Sequence, residues 1–127
     1  MLRPLARAFF AGVILPATLL IVTSEASAQV SPFRRAGLNL TKDDLSMIET
    51  ASAKLYAGEN PKIGASETWA NAKSRNAGSV VLVAVYVWNK MPCRRLSHQI
   101  VSPARKDPYS VQVDRCQTSS GEWKIRY

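Results

Sequence analysis

The chain has 127 residues, 46% of them apolar and 20% charged, a length that suits one domain and a balance that argues against intrinsic disorder. Lys and Arg outnumber Asp and Glu by 17 to 9, for a formal charge of +8, and only two cysteines and one histidine are present. These counts exclude a multidomain enzyme, a multispanning membrane protein and a zinc ribbon.

Residues 1–28 have the three parts of an export signal. Arg3 and Arg7 form the positive end, residues 8–22 form an apolar run broken by Pro16, and Ala26-Ser27-Ala28 is a small-x-small cleavage site ahead of Gln29. A membrane anchor is the competing reading, and both Pro16 and the cleavage site weigh against it. Cleavage would remove two cations and one anion, leaving a mature charge of +7. No cysteine lies beside the cleavage point, so a periplasmic or surface location without a lipid anchor is expected. A positive exported domain is drawn to anionic envelope components such as lipopolysaccharide, or to acidic glycans. Nucleic acid is not an expected partner, because no recognition motif accompanies the charge. Solvated charge that merely keeps the protein soluble is the plain alternative.

Residues 29–40 contain Pro32, Arg34, Arg35 and Gly37 without periodicity, and they read as a mobile leader before a domain spanning 41–127. Thr41 then has the character of a helix N-cap, with Asp43 and Asp44 in the first turn and Thr41-x-x-Asp44 as a capping box. Leu45, Ile48, Ala51, Leu55 and Tyr56 recur at helical spacing and form one apolar stripe. Gly58 is the expected C-cap, with Pro61 close behind.

Strand patterns follow. Residues 65–71 centre on Trp69, and residues 73–78 are rich in turn formers. Residues 79–88 form an apolar, valine-rich run that predicts a central strand covered on both faces. Its length suits a helix too, but β-branched side chains on both parities argue for a strand. After a turn at 89–92, residues 93–101 and 109–117 pair as a hairpin across 102–108. If paired positions sum to 209, Leu96 meets Val113, His98 meets Val111 and Ile100 meets Tyr109 on an apolar face. The other face then aligns Arg95 with Asp114 and Cys93 with Cys116. A disulfide between these cysteines suits an exported chain. A catalytic thiol is the sharper alternative, although no Cys-x-x-Cys motif supports it. Ser119-Ser120-Gly121 turns the chain into a last strand at 122–127, where Trp123, Ile125 and Tyr127 alternate with Glu122, Lys124 and Arg126. The expected fold is α+β: one N-terminal amphipathic helix packed on an antiparallel sheet of four or five strands.

The run from Trp69 through Asn71, Ser74 and Asn76 to Gly78 and Val80 resembles the W-x-N-x-x-S-G-N-x-G-x-V stretch of the rickettsial-type 17-kilodalton surface antigens and related outer-membrane surface proteins. Pro92-Cys93-Arg94 resembles their P-C-R element, and Cys116, Gly121 and Trp123 match their closing C-x4-G-x-W. The chain departs from that pattern in carrying Arg75 where Gly is usual, Gln117 where Arg is common and Ser120 where Asp is common. It also lacks the lipidated cysteine and the Gly-rich segment that family members often carry upstream. The resemblance implies an envelope domain and brings no catalytic mechanism.

Turn and packing chemistry accounts for the matched residues: Trp69 and Trp123 as core, Asn71 and Asn76 in a turn, Gly78 and Gly121 at positive φ. Arg94, Arg95, Lys124 and Arg126 would form an anion-binding strip if the last strand lies near the hairpin. Independent solvated side chains are the alternative. A catalytic role for His98 would require convergence with Asp114 or Glu67. No cofactor and no metal is expected. The sequence therefore points to an exported, non-enzymatic envelope protein with a structural or binding role. A secreted basic binding module or inhibitor acting on an anionic envelope or glycan partner is the alternative, and the oligomeric state is left open.

Overall fold

The computed structural model describes residues 32–34 and 37–127, together with Gly12; apart from that glycine, the export-like segment lies outside the described residues. One helix precedes five strands: α1 (Lys42–Tyr56), β1 (Ser66–Ala70), β2 (Ala77–Trp88), β3 (Met91–Val101), β4 (Tyr109–Gln117) and β5 (Trp123–Arg126). The strands form one open antiparallel sheet in the order β1-β2-β3-β4-β5. α1 packs across β1, β2 and β3 on one face. This is the expected α+β arrangement. Among the described residues no helix is long and apolar enough to cross a membrane.

α1 starts where its end groups are satisfied. The Thr41 hydroxyl accepts from the Asp44 N–H, and the Asp44 carboxylate accepts from the Thr41 N–H, so the capping box is complete. Ile48, Ala51, Leu55 and Tyr56 are buried, with Leu45 half-buried beside them. Ser52 joins the stripe by donating to the Ile48 carbonyl, which satisfies its buried hydroxyl within the helix. The C-cap is Ala57 in a right-handed conformation, not Gly58.

The core joins Ile48, Ala51 and Leu55 of the helix to Val80, Leu82, Leu96, Ile100 and Val113 of the sheet. Phe33 and Leu38 belong to it as well, at 5% and 2% exposure. The domain therefore draws two core side chains from the segment read as its leader. Single apolar residues on irregular backbone leave no period to detect, which is why the pattern missed them.

The β3–β4 register is the one expected: Leu96 opposes Val113, His98 opposes Val111, and Ile100 opposes Tyr109. Cys93 opposes Cys116, and the two form a disulfide. Closing the loop between cysteines 23 positions apart stabilises the fold by about 3 kcal/mol in the chain-entropy model.

β2 departs from expectation. It lies between β1 and β3, but Val85 is 40% and Val87 is 73% exposed. A bulge between Leu82 and Ala84 explains why the valine run looked doubly covered. The extra residue, Val83, shifts the phase, so Val80, Leu82, Val85 and Val87 share the helix-side face while Val81, Ala84, Tyr86 and Trp88 share the other. Contiguous valines thus reflect a change of parity on a sheet covered on one side. The turn into β3 is also tighter than expected. Asn89 and Lys90 have φ of 48° and 62°, the pattern of a two-residue hairpin turn, and Met91 and Pro92 already belong to β3.

Of the two glycines expected at positive φ, Gly121 has φ 87°, whereas Gly78 is needed for space. A Cβ there would lie 2.6 Å from the Gln99 carbonyl oxygen and 2.7 Å from the Trp69 indole nitrogen. Trp69 pairs with Gly78 across β1 and β2, so the indole lies over the bare backbone.

Candidate functional site

Two polar clusters organise the molecule, one under the helix and one on the open face of the sheet. The first centres on Asp44, which is fully buried. Its Oδ1 accepts from Asn71 Nδ2 at 2.8 Å and Ser74 Oγ at 2.7 Å, and its Oδ2 accepts from Asn76 Nδ2 at 2.7 Å and the Thr41 N–H at 2.8 Å. Burial alone would raise the carboxyl pKa. The hydrogen bonds from Asn76, Ser74, Thr41 and Asn71 outweigh it and hold the group at about 2. The β1–β2 loop is shaped to deliver these donors: the Asn71 N–H donates to the Asn76 carbonyl, the Arg75 N–H to the Asn71 carbonyl and the Asn76 N–H to Ser74 Oγ. Arg75 makes the bend with φ 62°. Asn71, Ser74 and Asn76, read from sequence as turn residues, thus bolt the loop to the first turn of the helix. From the sequence, Asp44 reads only as a cap residue; the signal for its second role is three polar side chains, Asn71, Ser74 and Asn76, in one short loop.

The second cluster lies on the face opposite α1, which no element covers among the described residues. The cross-strand row Ala84, Arg95, Asp114 and Arg126 runs over four strands. Arg95 Nε and Nη2 donate to the two Asp114 oxygens at 2.8 and 2.9 Å, a fork-like pair. The Tyr86 hydroxyl also donates to Asp114, and Arg126 approaches the same carboxylate at 3.7 Å. The Arg95 hydrogen bonds pull the Asp114 pKa below the usual carboxylate range against the effect of burial, with Tyr86 and the Arg126 charge adding to them. The Arg126 guanidinium lies 4.3 Å from the Trp88 ring centroid, and that of Arg95 lies 5.7 Å from the Tyr86 ring. Ser79, Ser97, Gln99, Ser110 and Gln112 extend the same face with hydroxyls and amides.

The structure brings three of the four strip residues onto this face. Arg95 and Arg126 share Asp114, and Lys124 pairs with Glu122 at 3.6 Å. Arg94 lies on the helix side, buried, 5.3 Å from the Trp123 ring centroid and donating to the Cys93 carbonyl. Burial lowers its pKa. Next to it Arg115 pairs with Glu49 and lies 4.7 Å from the Tyr56 ring centroid. The Tyr56 hydroxyl donates to Glu49 at 2.6 Å, and burial together with that carboxylate raises its pKa to about 12.

His98 does not converge with either acid. It is 1% exposed in the core, edge-on to Phe33 at 5.0 Å between ring centroids, and neither ring nitrogen has a hydrogen-bond partner among the described residues. Burial, with the Arg115 charge adding to it, pushes its pKa down to about 4. Asp114 is on the opposite face, and Glu67 is separated from His98 by Val80, which pairs with both. Among the described residues no group of His, Cys, Asp and Glu is placed to hold a metal ion.

In comparisons with known proteins, no family model, curated protein or solved structure matches the chain.

Proposed function

We propose that the chain is an exported, non-enzymatic bacterial envelope protein that acts by binding through the open face of its sheet. The observation that carries this reading is the row Arg95–Asp114–Arg126, flanked by Tyr86 and Trp88. Two guanidiniums share one carboxylate there, so the row keeps a net positive charge beside two aromatic rings. Ordered cations, aromatic faces and neighbouring hydroxyls and amides suit a sugar polymer bearing acidic groups. The sequence resemblance to surface antigens and the export-like residues 1–28 support the envelope setting.

The same row favours the second reading, a secreted basic module that seeks an anionic partner. Retention of the purified protein on lipopolysaccharide or an acidic glycan, read against salt, tests the binding role, and fractionation of the native cell tests the location. Binding through this face predicts salt-sensitive retention that Arg126→Ala and Trp88→Ala both weaken. Retention that neither substitution changes would remove the face from the account.

A further inference from the structure

We infer that two copies of this chain associate edge to edge through the second half of β2, extending the sheet across a two-fold axis. β1 pairs with β2 only up to Val81, and one further rung joins Leu82 to the Gly64 N–H and the Ala65 carbonyl. There the chain turns away, with the Ala65 N–H donating to the Lys62 carbonyl. The lane beside Ala84 to Trp88 has no backbone partner among the described residues. Trp88 and Met91 close the two-residue hairpin, and antiparallel alternation from that pair directs the N–H and C=O of Val85 and Val87 away from β3. These groups form an unpaired strand edge.

The remaining edges are protected in ordinary ways. β1 carries Glu67, and β5 carries Lys124 and Arg126. The open part of β2 has no such protection: no charged residue occurs from Ser79 to Asn89, and Val85 and Val87 expose their side chains beside the free backbone groups. A charged peptide would meet no countercharge on this strand, whereas an uncharged strand of high β-propensity fits it. β2 is itself such a strand. Antiparallel pairing about Tyr86 sets Val85 of one copy opposite Val87 of the other, giving each outward N–H and C=O a partner. The same register sets Trp88 of one copy against the small Ala84 of the other, large against small across the junction.

Sedimentation of the purified protein over a wide concentration range, in the form in which cells accumulate it, tests the inference. The expected result is a monomer–dimer equilibrium, with slower exchange of the Val85 and Val87 amides as concentration rises. Val87→Lys should weaken dimerisation by roughly tenfold or more. Mixing that variant with Val85→Glu should restore it, because the new charges oppose each other across the axis. A protein that is monomeric at every concentration, or a Val87→Lys variant that dimerises unchanged, would overturn the inference. Should Val87→Lys fail to fold, amide exchange in the unaltered protein decides, and exchange independent of concentration overturns the inference.

Discussion

Two aspartates organise this molecule in opposite ways. Asp44 is buried and takes hydrogen bonds from neutral donors, Asn71, Ser74, Asn76 and the Thr41 N–H. Asp114 lies on the open face and gathers Arg95, Arg126 and Tyr86. Both carboxyl groups are held below their ordinary pKa. The Asp44 cluster closes on itself, because its donors are spent on one acceptor away from water. The Asp114 cluster retains excess positive charge and faces solvent, where a ligand has access. The residues that most resemble a family motif thus serve the fold, and the less motif-like row carries the proposed binding role.

Removing the carboxylates one at a time should separate these roles. Asp44→Ala leaves four donors without their acceptor under the helix and should cost roughly 3–5 kcal/mol in urea denaturation. His98 supplies a contrast in the same core, a buried polar ring whose nitrogens have no hydrogen-bond partner among the described residues. Its pKa falls from 6.5 to about 4 on folding, so between those values the unfolded chain binds a proton that the folded chain does not. Stability should therefore fall on acidification across that window, by roughly 3 kcal/mol for a shift of this size. His98→Leu should abolish that pH dependence while the protein remains folded.

Asp114→Asn should cost about 1 kcal/mol or less, as for a partly exposed ion pair. It should leave the melting curve nearly intact while strengthening retention on an acidic glycan, since both arginines lose their internal partner. Arg75→Gly is the smallest effect and has the opposite sign. Its left-handed conformation disfavours a side chain, so glycine should stabilise the loop by about 0.5–1 kcal/mol if Ser74 and Asn76 keep their bonds to Asp44. Equal losses for Asp44→Ala and Asp114→Asn would erase the distinction between the two clusters.

Much of the scaffold was legible because it is local or periodic. Thr41-x-x-Asp44 and the stripe from Leu45 to Tyr56 define a helix on their own terms. The β3–β4 register could be read because one alignment satisfied the apolar pairs, Arg95 with Asp114 and Cys93 with Cys116 together. Other features depend on contacts between distant residues. Nothing in the cap announces that Asn71, Ser74 and Asn76 will meet Asp44. Phe33 and Leu38 lack a period, and the bulge at Val83 disguised a one-sided strand as a two-sided one. The candidate face was legible residue by residue and not as a surface. Adjacent Arg94 and Arg95 point to opposite sides of β3, a parity that separates them wherever the strand forms.

Carboxyl titration of the folded protein by NMR measures the Asp44 cluster directly. A midpoint for Asp44 at about 2 is expected, with stability fully present above the unfolded value and lost as pH falls from there through the folded one. A midpoint near the ordinary 3.8 would mean that Asn71, Ser74 and Asn76 do not hold the carboxylate, and the structural role assigned to the motif would be contradicted.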